Sequence, residues 1–368
     1  MRKFYVVMLI LVVCLFALPA AAQETAPPPE FTRTAMLQNI TENWILPLHD
    51  QFRSEVGALR DAAYAFRDAP GEATLNAMQR KWRQAAIWWQ GVAVFRLGQE
   101  AFAIQNRISN DSPIATPVID IFITGSDPIT PESVSVFGSN VLGIRTIEYL
   151  IFDRAGGNAA VLDKFTTAVT GERRMDYLLI AADDLAAAGE ALWEYWSPDG
   201  RNYAAEFTTH EAVPEQEAIS MLANRIIDSH EAMINMRVGW PLGVLSGRVQ
   251  PEIVEAPYSG ASTLQLKATF NMVRIGFTGG EGLGFDDYLD FLGATYEDGS
   301  LSDAILAQMD VIEAALNALN APLDEMLATN PAAVQSLYDE GRKLVVLLKA
   351  DMASRLGVIT TPSDNDGD

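Results

Sequence analysis

The chain is short of the groups on which much enzyme chemistry depends. It has one cysteine and three histidines in 368 residues. A single cysteine cannot build a cysteine-ligated zinc or iron–sulfur site. His49, His210 and His230 stand apart, none with a second histidine three or four residues away. A lone histidine on a helix is more often structural than a ligand. No H-E-x-x-H or G-x-S-x-G motif occurs, and no phosphate-binding loop or dinucleotide fingerprint. The segment Gly276 to Gly284 is glycine-rich, but it lacks the phosphate-loop lysine and reads as a turn before a helix. Positive charge is also scarce. Twenty-six Lys and Arg oppose 48 Asp and Glu, a net charge of −22. That excludes nucleic acid as an expected partner and disfavours anionic membrane surfaces.

One apolar run stands at the N-terminus. Met1-Arg2-Lys3 precedes an apolar stretch from Phe4 to Leu18, then Pro19 and Ala20-Ala21-Ala22. This is the charged, apolar and small-residue order of a secretory signal peptide over residues 1–22, with cleavage expected after Ala22. The stretch is shorter than the roughly twenty residues a membrane span needs. Cys14 leaves with it, and no thiol remains in the mature chain. A lipoprotein reading of Cys14 is weaker, because Val13 is large for a lipobox and the cysteine sits inside the apolar run. The expected location is the periplasm or cell envelope, with no transmembrane segment in the mature chain.

Beyond an exposed linker at 23–31, marked by Pro27-Pro28-Pro29, helical periodicity dominates. Met36, Ile40, Trp44, Leu48, Phe52, Val56, Leu59 and Phe66 form one three-and-four stripe, with Pro47 set to kink it or start it afresh. Leu178, Ala181, Leu185, Ala188, Leu192 and Trp196 form a second, and Ile305, Met309, Ile312, Leu316 and Leu319 a third. Asn330-Pro331 reads as an N-cap and first turn, and Gly357 as the stop of the helix it opens. Ile119 to Ile123 and Val134 to Phe137 are the only strand candidates, and both are short. The expected class is all-α.

Two proline- and glycine-rich stretches, 106–136 and 246–262, interrupt the helices. Connections this long are often functional. A faint repeat links the halves: Gly143 and Glu148-Tyr149-Leu150 in one, Gly282 and Asp287-Tyr288-Leu289 in the other. It suggests two related helical bundles, 32–205 and 206–357, followed by an acidic tail at 358–368. Asp364, Asp366 and Asp368 alternate like a calcium loop, but the chain stops before the rest of such a loop and reads as a solvated end.

Trp82, Trp88 and Trp89 have the spacing of core aromatics, with Arg96 and Arg107 beyond them as candidates to line a cleft. The segment Gly143 to Leu150 places Arg145 and Glu148 three apart, on one helix face. This segment resembles the imelysin signature, glycine-x-histidine-x-x-glutamate. The resemblance extends to Trp82–Gly98, Pro241-Leu242-Gly243, Gly279–Leu289 and the acidic ending. It implies a two-bundle helical protein of the bacterial envelope, in a family that includes proposed peptidases and iron-regulated or iron-uptake proteins.

In this motif Arg145 stands where the signature has histidine. A guanidinium offers no lone pair to a metal. At about 4 Å and an effective dielectric near 20, its charge repels a cation by roughly 4 kcal/mol per unit charge. Arg145 is thus expected to pair with Glu148 or to bind an anion. The resemblance admits iron or another divalent metal as cofactor, but this pair disfavours it there. The candidate ligand-binding residues are Arg145, Glu148, Arg96, Arg107 and Asp287. The function read from all this is a non-enzymatic envelope binding protein linked to iron or metal uptake, its partner a small ligand or an envelope protein. The alternatives are an imelysin-type peptidase and a structural or partner-binding protein with a decayed ligand site.

Overall fold

The stripe from Met36 to Phe66 folds as α1 (Arg33–Ile40) and α2 (Leu46–Asp68), joined by a π-helical turn over Thr41–Ile45. Pro47 explains the join. It has no N–H to donate, and its ring crowds the carbonyl four residues back; the wider π turn relieves both. The turn also shifts the phase of the stripe. Ile45 takes the inward place and is fully buried, while Trp44 is half-buried and donates its indole N–H to Gly279 O at 2.9 Å. The other members of the stripe are core.

A computed structural model describes residues 30–109 and 114–360. The proposed signal peptide, all but two residues of the linker and most of the acidic tail lie outside them. The described residues from Phe31 onward form one compact unit. After α2 come α3 (Glu72–Val94), α4 (Gln99–Ile108), α5 (Thr116–Thr124), α6 (Pro131–Ser135) and α7 (Gly143–Ile151). Then follow α8 (Gly157–Thr166), α9 (Gly171–Trp196), α10 (Tyr203–Thr209) and α11 (Glu215–Ala232). A second π turn, Met233–Gly239, leads into α12 (Trp240–Leu242), again just before a proline, Pro241. The rest is α13 (Ser262–Thr278), α14 (Phe285–Phe291), a two-stranded hairpin, α15 (Leu301–Ala318), α16 (Leu323–Thr329), α17 (Pro331–Val346) and α18 (Ala353–Leu356).

The class is all-α. Neither strand candidate is a strand: Ile119 to Ile123 lies within α5, and Val134 to Phe137 spans the end of α6 and the turn after it. The hairpin pairs Thr295 with Ser300 and Tyr296 with Gly299, a feature too short for any alternation to reveal. The second stripe is buried on α9 and the third on α15, with its last member, Leu319, buried just past the helix end. Asn330 caps α17 by accepting from Ala333 N, and Gly357 ends α18 in the left-handed region. The glycine-rich segment turns the chain between α13 and α14, where Asn39 donates to the carbonyls of Gly279 and Leu283.

Helices α2, α3 and α9 pack together, with α4, α7 and α8 on α9. Helices α11, α13, α15 and α17 form the other set. The two sets meet chiefly where α3 lies along α13. The two helices run parallel there: Arg83 reaches Ser259 just before α13, Gln90 bonds Thr269 about two turns further along α3, and Gly91 lies against Met272. This seam and the end of α7 position the candidate site.

Candidate functional site

Helix α7 starts tightly against α4. Leu142 is extended, and Gly143 turns the chain with φ +79°. A Cβ on Gly143 would lie 2.2 Å from Ile108 O, so both conformation and space demand glycine. Gly143→Ala should therefore cost about 2–4 kcal/mol, the magnitude of a strained backbone combined with a steric clash. Urea unfolding measures it; a cost below 0.5 kcal/mol would refute this account.

The rest of α7 is clamped by its carbonyls. The Trp82 indole donates to Ile144 O at 2.8 Å, and Gln79 Nε2 to Ile151 O at 2.7 Å. Arg174 Nη2 donates to Leu150 O at 3.1 Å, placing a cation at the helix C-terminus, where the dipole favours it. Trp82, fully buried, is thus core and anchor together.

Ile144, Ile147 and Ile151 turn inward from α7, and Glu148 goes in with them, 1% exposed. Its Oε1 accepts the Ser259 backbone N–H at 2.8 Å. Burial pushes its carboxyl up to about 7; the Ser259 hydrogen bonds and then the Arg145 charge oppose that rise, and Glu255 adds to it. Arg145 is half-buried on the same helix face. Arg83, from α3, holds the other side of the Ser259 residue: its Nη2 donates to Ser259 O at 3.1 Å, and its guanidinium lies 4.6 Å from the centre of the Phe152 ring. Burial draws Arg83 below the usual arginine range, and the Glu148 charge acts against that.

Residues 244–261 form a strap across this seam. Besides Ser259, the strap brings Tyr258 edge-on to Tyr149 at 5.2 Å and Glu255 into an ion pair with Arg237. The Tyr149 hydroxyl donates to Asp120 at 2.7 Å, and burial followed by that bond pushes its ionisation up. Arg237, in the second π turn, also donates to Gln90 Oε1 at 3.0 Å and Thr269 Oγ1 at 2.7 Å.

Of the residues singled out from sequence, Arg145 and Glu148 come together here. Arg96 instead donates to Gln105 Oε1 at 3.0 Å and lies over Phe102. Arg107 is exposed and pairs with Asp184 at 2.5 Å. Asp287 accepts the Gly284 N–H at 2.9 Å and caps α14. His49 and His230 are buried in the core, and His210 touches Thr34 and Glu215. Arg83, Arg237, Glu255, Tyr258 and Ser259 were not picked out. For Glu255, Tyr258 and Ser259 the sequence signal is the length of the 246–262 connection; Arg83 and Arg237, within helical segments, carry none.

Among the described residues, no group of three or more His, Cys, Asp and Glu side chains could hold a metal ion. The chemistry at Glu148 does not fit a bare divalent cation either. The one carboxyl is protonated up to near neutrality, arginines flank it, and the next carboxylate is tied to Arg237. What the arrangement offers is recognition by guanidinium, phenol and peptide groups.

Comparison with known proteins supplies the lineage. A search of curated proteins found no match. Two crystal structures share the fold. One is named for an iron-regulated protein A precursor of Parabacteroides distasonis: TM-score 0.74, 16% identity, 90% of this chain and 97% of that one covered. The other is an imelysin-like protein of Psychrobacter arcticus: TM-score 0.68, 18% identity, 92% and 100% covered. The family model described as Imelysin matches residues 45–348, most of the sequence, and the chain belongs to the imelysin family.

Proposed function

We propose that this protein is a non-enzymatic binding protein of the bacterial periplasm or cell envelope, linked to iron or metal uptake. The observation that carries the reading is Glu148, a carboxyl buried beside Arg83 and Arg145 and latched to the strap through Ser259. A buried acid set among cations, and bonded to a peptide from a long connection, suits a ligand seat better than a hydrolytic centre. Support for the envelope comes from the N-terminal sequence pattern. Among the described residues no helix is long and apolar enough to cross a membrane. The iron link is suggested by the family and by the name of one structural neighbour.

Deleting the gene in its native host should slow growth only under iron limitation, with wild-type complementation restoring it. Equal growth of deletion and parent strains in iron-poor medium would remove the iron link. Cleavage of a peptide library by the purified protein, lost in Glu148→Gln, would replace the reading with the peptidase one.

A further inference from the structure

We propose that the open pocket between the first π turn and the glycine-rich loop joining α13 to α14 binds a neutral pyranose saccharide. The Trp44 indole is its stacking platform, and Asn43 and Glu281 are its hydroxyl partners. The inference does not rest on the iron-linked reading above.

The pocket has a volume of about 440 Å³ and is lined by Asn39, Asn43, Trp44, Gly279, Glu281 and Gly282. Small-ligand sites span roughly 300–1,000 Å³. One wall is the π turn, Thr41–Ile45, with Asn39 just before it. The other wall is the loop, 240 residues further along the chain.

These walls are fixed without a guest. Asn39 Nδ2 gives its two protons to Gly279 O and Leu283 O, each at 2.9 Å. Carbonyls only accept, so the amide faces one way, and Asn39 Oδ1 is left to accept from Asn43 Nδ2 at 2.9 Å. The indole N–H of Trp44 is tied to Gly279 O. Only glycine lets the loop come this close. Gly280 has φ +71°, and a Cβ there would lie 2.1 Å from Trp44 Cζ2; one on Gly282 would lie 2.1 Å from Asn39 Oδ1. The glycine-rich segment, which lacks a phosphate-loop lysine, thus lays bare backbone against an indole and an amide.

What remains open defines the guest. Trp44 is half-buried, and its ring surface in the pocket is apolar with a negative face. Asn43 keeps one N–H and its Oδ1 beyond the bond to Asn39. Glu281 is exposed, and among the described residues it makes no ion pair. A pyranose ring has the complementary surfaces. Its C–H groups pack on the indole, and adjacent hydroxyls on its rim donate to the carboxylate and accept from the amide. Other classes fit less. No Lys or Arg lines the pocket, so an anion finds no counter-charge. A quaternary ammonium is recognised by a cage of several rings, and one ring lines this pocket. A primary ammonium uses a carboxylate and has no call for the indole and amide together.

The test follows the indole N–H signals of the seven tryptophans in the isotope-labelled mature protein by NMR, with Trp44→Phe identifying the Trp44 signal. Chitotriose, cellotriose and maltotriose are titrated separately, and tetramethylammonium and lysine amide serve as cationic probes. At least one saccharide should move the Trp44 signal saturably. Asn43→Ala and Glu281→Gln should each weaken that saccharide about five- to tenfold, the effect of one lost hydrogen bond. Both side chains are exposed, and unchanged signals from the other indoles show that the variants fold. A Trp44 signal that stays still with all three saccharides overturns the site. So does saccharide binding at full strength in both variants, or a signal moved by the cations alone. Normal growth of a deletion strain in iron-poor medium, together with saccharide binding, removes the proposed iron link and leaves this inference standing.

Discussion

At pH 8.5 Glu148→Gln should be more stable than wild type by about 3 kcal/mol, and at pH 5 the two should nearly coincide. The folded chain holds the Glu148 carboxyl at about 7, against an ordinary 4.5. Between those values the folded state binds a proton that the unfolded state has released. Stability is therefore highest below 4.5 and is lost as pH rises through 7. A shift of this size corresponds to about 3 kcal/mol, or about 4 °C in Tm for a domain of this length. Glutamine keeps the shape and an oxygen for the Ser259 N–H, and it carries no charge to desolvate. Urea unfolding at the two pH values measures the effect. A variant less stable than wild type at pH 8.5 would mean that Arg83 and Arg145 outweigh burial.

This expectation reverses the one that spacing alone suggests. Arg145 and Glu148, three apart, look like an ion pair whose disruption is costly. Spacing cannot show that Glu148 points the same way as Ile144, Ile147 and Ile151, into the core. Nor can it show that the dominant influence on the carboxyl is burial, with Arg145 a lesser one. The fold class was legible because the stripes on α9 and α15 are long and regular, and burial follows them residue by residue. Trp44 departs because a π turn adds a residue to the helical repeat, a change of phase visible beforehand only as Pro47. Arg96 and Arg107 illustrate the limit for the site. Their nearness in sequence to the tryptophans said nothing of Gln105 and Asp184, the partners that take up their guanidiniums. Arg83 and Ser259, 176 residues apart, are brought together by the α3–α13 seam, which no local pattern encodes.

Acid should unfold the protein through two histidines, with a combined loss of about 6 kcal/mol between pH 6.5 and 4. Burial pulls His49 and His230 down to about 4, from an ordinary 6.5. Each is wired as a neutral ring. His49 Nδ1 bonds Ile45 O at 2.7 Å, and its Nε2 is buried without a partner. His230 Nε2 bonds Gly341 O at 2.9 Å, and its Nδ1 is likewise unpartnered. Since a carbonyl only accepts, the bonded nitrogen carries the proton, and a second proton would sit on a nitrogen with nothing to receive it. Below pH 6.5 the unfolded chain therefore takes up two protons that the folded chain refuses, and stability falls until about pH 4. Glu148 works the other way over the same range, offsetting about 3 kcal/mol of that loss in wild type. Removing it exposes the full effect, so Glu148→Gln should show a steeper acid limb than wild type. Adding His49→Gln or His230→Gln, each able to keep a donor for its carbonyl, should flatten that limb by about 3 kcal/mol apiece, whatever it does to stability at pH 7. Urea unfolding from pH 7 to 4.5 gives the slopes. The ring-proton resonances of the two histidines should keep neutral shifts until the chain unfolds, and protonated shifts in the folded state at pH 5.5 would contradict the mechanism.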